Sequence, residues 1–253
     1  MTMNGGTQTS FSGWQTSYRG GLPRWLGEGF LCLLFPPRCL QCRAQATKLE
    51  VLCRSCEEQL PTLEGTRCRQ CQDPLEDPRV DLCRACGTRD RGFDLARCLG
   101  PYEGSWSNLL RALKFSRERA VARFLSKRFA AYLNTAKPFG NVEAITYVPM
   151  SRRDRRRRGF NQAQLLANGL GRQAGIPVYK TLAKVRVTSP QAALRAQQRR
   201  NNLRGAFQLI RSGTEKVVLV DDIYTTGSTV QECAITLKSG GYKAVYVLTV
   251  ARA

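Results

Sequence analysis

The sequence predicts an α/β protein with a parallel sheet, preceded by a smaller cysteine-rich region. Two observations support the α/β assignment. Segments with a strand pattern alternate with segments of helical spacing, and residues 217–220, VVLV, are apolar throughout, as in a strand that is buried on both faces. The third observation is four Cys-x-x-Cys pairs between residues 39 and 86, a spacing that is typical of a small separate module.

Residues 1–34 are expected to form a disordered arm and a short helix. The first 21 residues are rich in Gly, Ser and Thr, and the helix is predicted on the apolar run FLCLLF, which begins at residue 30. A membrane-spanning helix needs about 20 apolar residues, and no cleavage pattern of a signal peptide accompanies the run. We therefore expect no membrane span and a cytoplasmic location.

Residues 35–95 are predicted to form a double zinc-ribbon-like region. Two Cys-x-x-Cys knuckles on a short hairpin place four thiolates tetrahedrally around Zn²⁺. Because four thiolates fill the coordination sphere, we expect a structural or binding role and no catalysis. The expected metal ligands are Cys39, Cys42, Cys53, Cys56, Cys68, Cys71, Cys83 and Cys86.

Two alternatives to zinc and two ways of pairing the knuckles stay open. A disulfide framework would need an oxidising compartment, and an iron–sulfur site fits the regular doublets less well than zinc does. The region would hold one or two ions. Pairing is either sequential (39/42 with 53/56, 68/71 with 83/86) or crossed, and sequential pairing is preferred since it closes shorter loops.

The charge of the chain favours anionic partners. The 253 residues include 40 Lys and Arg against 19 Asp and Glu, a net charge of +21, and no histidine. Such a field attracts nucleic acid, phosphorylated metabolites or an acidic surface. Without histidine, a catalytic base would have to be a carboxylate, a lysine, a tyrosine or a thiolate.

Residues 96–253 are predicted to form the α/β domain. Ligands of such domains bind beyond the carboxyl ends of the parallel strands. In chain order the prediction is two helices within 104–135, broken around 115–117, a strand at 142–150, a loop at 151–162, a helix at 162–175 that ends at Gly175, a short strand near Val178, a polar stretch at 184–205, strands at 206–210 and 216–223, a helix at 228–241 and a strand at 243–251.

The stretch VVLVDDIYTTGST, residues 217–229, carries the candidate site. Asp221 and Asp222 stand at the carboxyl end of the strand, where a ribose diol with Mg²⁺ would relieve the repulsion between them. Gly227 permits a tight turn, and successive N–H groups at the start of the following helix form a cradle for an anion such as a 5′-phosphate. The alternative is an ordinary solvated turn or helix cap.

This stretch resembles the PRPP-binding motif of type I phosphoribosyltransferases. The resemblance implies a type I phosphoribosyltransferase-like parallel sheet with helices on both faces. It also implies that Asp221 and Asp222 are the catalytic acids, which bind the ribose hydroxyls directly or through Mg²⁺. The residues that it assigns to PRPP binding are Asp221, Asp222, Thr225, Thr226, Gly227, Ser228 and Thr229.

Further segments resemble the ComF family of competence proteins over most of the chain, from about Phe35 onward. That family places a zinc-ribbon region before a phosphoribosyltransferase-like domain. The resemblance implies a role in natural transformation, single-stranded DNA as a ligand and proteins of the DNA-uptake machinery as partners. Beside the cysteines and the PRPP motif, the segments are PYEG (101–104), LKF (113–115), VPMSRRDRRRRGFNQAQLLA (148–167) and TSPQAALRAQQRRNNLRGAF (188–207).

The arginine-rich segment after residue 150 is a second candidate site. Arg152 and Arg153 could hold pyrophosphate oxygens, since guanidinium matches phosphate bidentately. Phe160 could stack on a base or pack as a helix staple, and the segment could equally be a solvated loop. The residues predicted to meet a nucleic-acid backbone are Arg155, Arg156, Arg157 and Arg158.

The polar stretch before the PRPP strand resembles the flexible loop that closes over the site in active transferases. Arg199 and Asn202 are the predicted substrate contacts of that loop.

Two classes of function follow from these sites. The preferred one is a protein that binds PRPP and single-stranded DNA during DNA uptake. The alternative is an active phosphoribosyltransferase, a glycosyltransferase that transfers a pentosyl group to an unidentified nitrogen acceptor in nucleotide metabolism or salvage.

Overall fold

The computed structural model describes residues 38–46, 50–115, 119–186 and 203–253. The helix predicted near residue 30, Arg199 and Asn202 lie outside the described residues. The elements in chain order are α1 (Arg54–Glu58), α2 (Arg84–Gly87), β1 (Leu95–Pro101), α3 (Gly104–Phe115), α4 (Arg119–Ala136), β2 (Ala144–Tyr147), α5 (Arg152–Arg158), α6 (Gln162–Ala174), β3 (Leu182–Lys184), β4 (Phe207–Leu209), β5 (Lys216–Tyr224), α7 (Ser228–Ser239) and β6 (Ala244–Arg252).

A parallel sheet of strand order β1-β6-β5-β2 forms the centre of the fold. All four residues of the run Val217–Val220 on β5 are fully buried. Because successive side chains of a strand point to opposite faces, both faces of the sheet are covered there. β5 pairs with β2 on one side and β6 on the other, which brings the carboxyl ends of all three strands to one edge. The predicted α/β class and parallel sheet are confirmed.

Local signals account for both ends of helix α6. Helix α6 ends where Gly175 adopts a left-handed conformation at φ 69°, and its amide closes onto the carbonyl of Gly171. Asn161 caps the other end by accepting a hydrogen bond from the amide of Gln164. The two helices predicted within 104–135 are α3 and α4, and residues 116–118 between them lie outside the described residues.

The predicted loop at 151–162 was wrong, because residues 152–158 form helix α5. Ser151 Oγ accepts a hydrogen bond from the amide of Asp154 at 3.1 Å, which satisfies one free N–H of the first turn. Gly159 ends the helix with a φ of 83°. These two caps outweigh the repulsion between neighbouring arginines, whereas the run of like charges had suggested an unstructured segment.

Strand β1 was not predicted, because it is stabilised by hydrogen bonds to a distant part of the chain. Every second residue of β1 is buried, and the amides of Ala96 and Cys98 donate to Gln70 O at 2.7 Å and Gln72 Oε1 at 2.8 Å. The cysteine-rich region therefore packs directly on the edge strand. Trp106 adds a contact through its indole N–H, which donates to Pro61 O at 2.8 Å.

The strand predicted at 206–210 exists as β4, but it lies outside the main sheet. It pairs antiparallel with β3, which the sequence reading had missed. The strand expected near Val178 is reduced to a single parallel bridge with Ile145. Among the described residues, no helix is long and apolar enough to cross a membrane.

Candidate functional site

Eight cysteines gather into two groups of four, at the two ends of the cysteine-rich region. Within each group the sulfur atoms all lie within 4.8 Å of one another. The groups are Cys39, Cys42, Cys53 and Cys56, called the first zinc site, and Cys68, Cys71, Cys83 and Cys86, called the second zinc site. The preferred sequential pairing is thereby confirmed, and of the two open numbers of ions the structure supports two, one in each site.

The spacing of the sulfur atoms fits zinc. Cys42 Sγ lies 3.7 Å from Cys53 Sγ, and Cys71 Sγ lies 3.7 Å from Cys83 Sγ. Four thiolates at 2.3 Å around a tetrahedral ion would be about 3.8 Å apart. Zn²⁺ held there would crosslink two knuckles of chain, and it would leave no coordination position for a substrate.

The two zinc sites are built by the same local structure, used twice. In the first, the Cys39 amide donates to Ala44 O at 2.9 Å, and in the second the Cys68 amide donates to Asp73 O at 2.8 Å. Arg43 and Gln72 follow the first knuckle of each site with left-handed φ angles of 62° and 60°. The second site is the better buried, since its four cysteines are buried whereas Cys42 of the first is exposed.

The paired acids stand at the carboxyl end of β5, as predicted. The amide of Asp222 donates to Asp221 Oδ1 at 2.9 Å, and the amide of Ile223 donates to Asp222 Oδ1 at 2.9 Å. Burial, and after it the neighbouring Asp222 carboxylate, raise the pKa of Asp221 well above its ordinary value. A divalent cation or a sugar diol would offset this unfavourable charge, so the pair fits the group that the motif implies.

Residues 225–229, called the phosphate loop, turn from β5 into the first turn of α7. Gly227 caps this 12-residue helix with a φ of 72°. Thr226 Oγ1 and Ser228 Oγ share a hydrogen bond of 2.8 Å, and the Ser228 amide approaches Thr226 Oγ1 at 3.4 Å. The first amides of α7 and these hydroxyls are donors at the positive end of a helix, which suits a phosphate group.

Gly227→Ala is expected to distort the phosphate loop. A Cβ there would lie 2.2 Å from Tyr224 Oη and 2.5 Å from Arg91 Nη2, in addition to the strain of a positive φ. The strain alone costs about 1–2 kcal/mol. Gly65→Ala is the matched control, because Gly65 has the same φ of 72° and no atom within 4 Å of the added Cβ.

Chemical denaturation should show a larger loss of stability for Gly227→Ala than for Gly65→Ala. Equal losses would mean that the contacts of Gly227 with Tyr224 and Arg91 are not close in solution.

A cavity of about 480 Å³ lies at the carboxyl end of β2, between helix α5 and residues 180–186. Three of the arginines that the sequence predicted as ligand contacts line this cavity, namely Arg152, Arg153 and Arg155. Asp221 and Asp222 do not line it, but Lys184 of its far wall is near enough to lower the pKa of Asp221. Burial in turn lowers the pKa of Lys184.

The sequence reading missed the far wall of this cavity. Lys180, Lys184 and Arg186 face the arginines of α5 across it. Their spacing along the chain, KTLAKVR, is a visible signal, but only the fold of β3 places them opposite α5. The cavity is thus lined by cations from two elements, which suits a ligand with several negative charges.

The remaining arginines of α5 do not line the cavity and are at least partly exposed. Arg156 and Arg157 are exposed and Arg158 is partly exposed, and Phe160 is half-buried. Arg157 pairs with Asp154 at 3.3 Å. Within the part of the chain that the structure describes, no salt bridge involves the other arginines of α5, so their charge is available to an anion.

The clearest residues that the sequence reading missed are Arg91 and Arg252. Both are buried, at 4% and 8% exposure, and both contact Tyr224 next to the phosphate loop. Neither belongs to a motif. Arg91 donates to Tyr224, 133 residues along the chain, and Arg252 donates to Cys71, 181 residues away, so no local signal could have found them.

Comparison with known proteins gives matches over most of the chain. Residues 30–87 match the family described as a double zinc ribbon domain. Competence protein F of Haemophilus influenzae is 32% identical over 225 residues, which are 85% of this chain and 97% of that protein. DNA utilization protein YhgH of Escherichia coli K12 is 32% identical over 206 residues, 79% of this chain and 90% of that protein. Competence protein ComFC of Bacillus subtilis is 26% identical over 200 residues, 76% of this chain and 80% of that protein.

Among solved structures the similarities are distant. UMP synthase of Leishmania donovani has a TM-score of 0.35 and 17% identity, covering 57% of this chain and 24% of that one. Glutamine PRPP amidotransferase from B. subtilis has a TM-score of 0.35 and 23% identity, covering 51% and 25%.

Proposed function

The chain belongs to the competence protein F (ComF) family, and from this premise we propose that it binds PRPP with Mg²⁺ at the end of β5 and single-stranded DNA along helix α5. The observation that carries the proposal is the placement of the paired acids, the phosphate loop and the α5 arginines at one edge of a parallel sheet. That edge is where ligands of such sheets bind.

The parts of PRPP match the groups found along this edge. The amides of the phosphate loop and the hydroxyls of Thr226 and Ser228 would donate to the 5′-phosphate. Asp221 and Asp222 would accept hydrogen bonds from the ribose diol or hold Mg²⁺, which supplies positive charge beside the pyrophosphate. Arg152 and Arg153, on the wall of the cationic cavity, would donate to the pyrophosphate oxygens.

The arginines at the end of α5, three exposed and one partly exposed, are the proposed contact with DNA. Four consecutive arginines, residues 155–158, offer more charge than one small metabolite can use. A phosphodiester backbone running past the helix would neutralise them, and Phe160, two residues beyond the helix, would stack on a base. The name of the E. coli relative, a DNA utilization protein, agrees with this ligand.

Replacing residues 155–158 with glutamine is expected to weaken binding of single-stranded DNA and to flatten its salt dependence. Each phosphate contact contributes about 0.7 to the slope of log K against log salt on a single strand, so the slope should fall by up to about 3. The matched control replaces four exposed cations of α3 and α4, Arg111, Arg119, Arg123 and Lys127, and removes the same net charge.

Fluorescence anisotropy with a labelled oligonucleotide over a salt series measures both slopes. An equal loss of slope in the two quadruple variants would show that only the overall charge attracts DNA. No binding by the unmodified protein at low salt would remove DNA from the proposal.

Transfer of the pentosyl group is the second candidate function, and the cationic cavity favours it because it could receive the leaving pyrophosphate. In such a transfer the bond from C1′ to pyrophosphate breaks, a bond from C1′ to a nitrogen acceptor forms and pyrophosphate leaves. Incubation of isotope-labelled PRPP and Mg²⁺ with candidate bases and amines tests this. Binding of PRPP without release of pyrophosphate would restrict the function to binding.

A further inference from the structure

Two buried arginines join the second zinc site to the phosphate loop. Arginine is rarely buried unless its charge is paired. The contacts of Arg91 and Arg252 therefore indicate what their burial achieves.

Arg252 connects the metal-binding knuckle to the end of β5. Its Nη1 donates to the carbonyl oxygen of Cys71 at 2.6 Å, and its Nη2 pairs with Asp73. On the other side, its guanidinium carbon lies 4.5 Å from the centre of the Tyr224 ring. Since Cys71 is a ligand of the second zinc site, one side chain contacts both the backbone of a ligand residue and the residue that precedes the phosphate loop.

Arg91 makes the second connection, from the chain that leaves the same zinc site five residues after Cys86. Its Nη2 donates to Tyr224 Oη at 2.9 Å and to Thr226 O at 3.1 Å. Its Nε is buried and has no hydrogen-bond partner within the described residues. An unsatisfied buried donor is unfavourable, so the placement of Arg91 is better explained by its hold on the loop than by stability alone.

The residues around Arg91 also lie against the helix that starts at the phosphate loop. Gln231 Nε2 of α7 donates to Asp90 O at 3.2 Å. Gly92 has a φ of 68°, and a Cβ there would lie 2.6 Å from Ile235 Cγ1 of the same helix. The chain that leaves the second zinc site therefore contacts α7 as well as the phosphate loop.

The first zinc site has different neighbours. Around it, Asn108 of α3 donates to Gln41 Oε1 at 2.8 Å, and Arg128 of α4 pairs with Glu57 at 3.5 Å. These contacts lead to helices α3 and α4, so the first site offers an internal control for the second.

We propose that Arg91 and Arg252 are positioning residues through which the second zinc site fixes the geometry of the phosphate loop. With the knuckle at Cys71 and the chain after Cys86 held in place, Tyr224 and Thr226 keep their positions, and the first amides of α7 stay directed at one point. A fixed loop would also favour binding of a phosphate group, and this consequence rests on the proposed function. The effect on the geometry of the loop itself does not.

Hydrogen–deuterium exchange of the full chain tests the coupling without any ligand. In Arg252→Gln, amides of the peptide spanning residues 224–231 should exchange at least about fivefold faster, the low end of a typical coupling between sites. Arg97→Gln is the matched control, because Arg97 also donates to the second zinc ribbon, at Gln70 O, but does not contact Tyr224. Both variants should retain two zinc equivalents.

Tyr224→Phe gives a second, milder variant. It keeps the ring that faces Arg252 and removes the hydroxyl that accepts from Arg91, so exchange in 224–231 should rise even if Arg252→Gln fails to fold. Unchanged exchange in Tyr224→Phe and in a folded Arg252→Gln would overturn the proposal. An equal rise in Arg97→Gln would also overturn it, because the effect would then be general.

The reciprocal measurement uses ribose 5-phosphate with Mg²⁺ as the probe. Because coupling is mutual, the probe should slow exchange in residues 68–75 of unmodified protein, but not in 39–45, and Tyr224→Phe should reduce this protection. If exchange responds to the variants but the sugar phosphate gives no protection in the phosphate loop, the coupling stands and the ligand assignment fails. If the probe protects the loop but not residues 68–75, the ligand assignment stands and the coupling fails.

Discussion

Serine in place of Cys83 is expected to lower the melting temperature by roughly 10–20 °C, and serine in place of Cys42 by clearly less. A structural zinc site contributes about 10–16 kcal/mol of apparent binding free energy to folding. Loss of one thiolate ligand should therefore cost on the order of 5 kcal/mol, at about 2–4 °C per kcal/mol for a chain of this size. Cys83 is buried, whereas Cys42 is exposed.

Calorimetry with zinc analysis of the same samples checks this prediction. The unmodified protein should contain two zinc equivalents, and Cys83→Ser about one. Cys98→Ser is a suitable control, since Cys98 is a buried thiol of β1 that belongs to neither zinc site. Similar melting temperatures for Cys83→Ser and unmodified protein would contradict the assignment of the second zinc site as part of the core.

Asn in place of Asp221 is expected to stabilise the protein while it weakens PRPP binding. Burial and the Asp222 carboxylate raise the pKa of Asp221, so its ionised form destabilises the fold. Removal of that charge should raise the melting temperature by about 2–4 °C, which corresponds to about 1 kcal/mol. The loss of charged contacts to Mg²⁺ or the ribose diol, at about 1.5–3 kcal/mol, should weaken PRPP binding by about 10- to 150-fold.

The pH dependence of this stabilisation has a defined sign. Below the pKa of an unfolded aspartate, about 3.9, Asp221 is neutral in both states and the variant should gain little. As pH rises from there to the raised pKa of folded Asp221, the unfolded carboxylate ionises while the folded one stays protonated, so the unmodified protein loses stability and the advantage of asparagine grows; above the folded pKa the advantage is constant. A melting series across this range, with PRPP titrations at neutral pH, measures both effects.

Asp77→Asn provides the opposite case, because the guanidinium of Arg79 lowers the pKa of the Asp77 carboxyl. It should give no rise in melting temperature and no change in PRPP affinity. A fall in stability for Asp221→Asn at neutral pH would mean that the carboxylate is stabilised in the fold, contrary to its buried setting.

Features that depend on residues close in sequence could be predicted here. The Cys-x-x-Cys spacing predicts the ligands of both zinc sites, because the two knuckles of each site are separated by fewer than 15 residues. The stretch 217–229 contains its own strand, acids, turn and helix start, and the structure places them in that order. Ser151 and Gly159 also carried the caps of α5, but the charge of the arginines between them obscured the signal.

Features that depend on distant contacts could not be predicted. β1 donates hydrogen bonds to the zinc region, at Gln70 O and Gln72 Oε1, and β3 pairs with β4 across residues that have no strand pattern. Arg91 and Arg252 read as ordinary surface arginines until the fold brings them together at Tyr224. In each case the residues are buried by contacts with distant parts of the chain, so the local sequence carries no signal of their burial.

A crystal structure of the full chain with PRPP and Mg²⁺ is the most direct test of the central claim. The account predicts the 5′-phosphate on the amides of the phosphate loop, the ribose hydroxyls at Asp221 and Asp222, and the pyrophosphate at Arg152 and Arg153. PRPP bound elsewhere, or a phosphate loop without ligand at a saturating concentration, would contradict it.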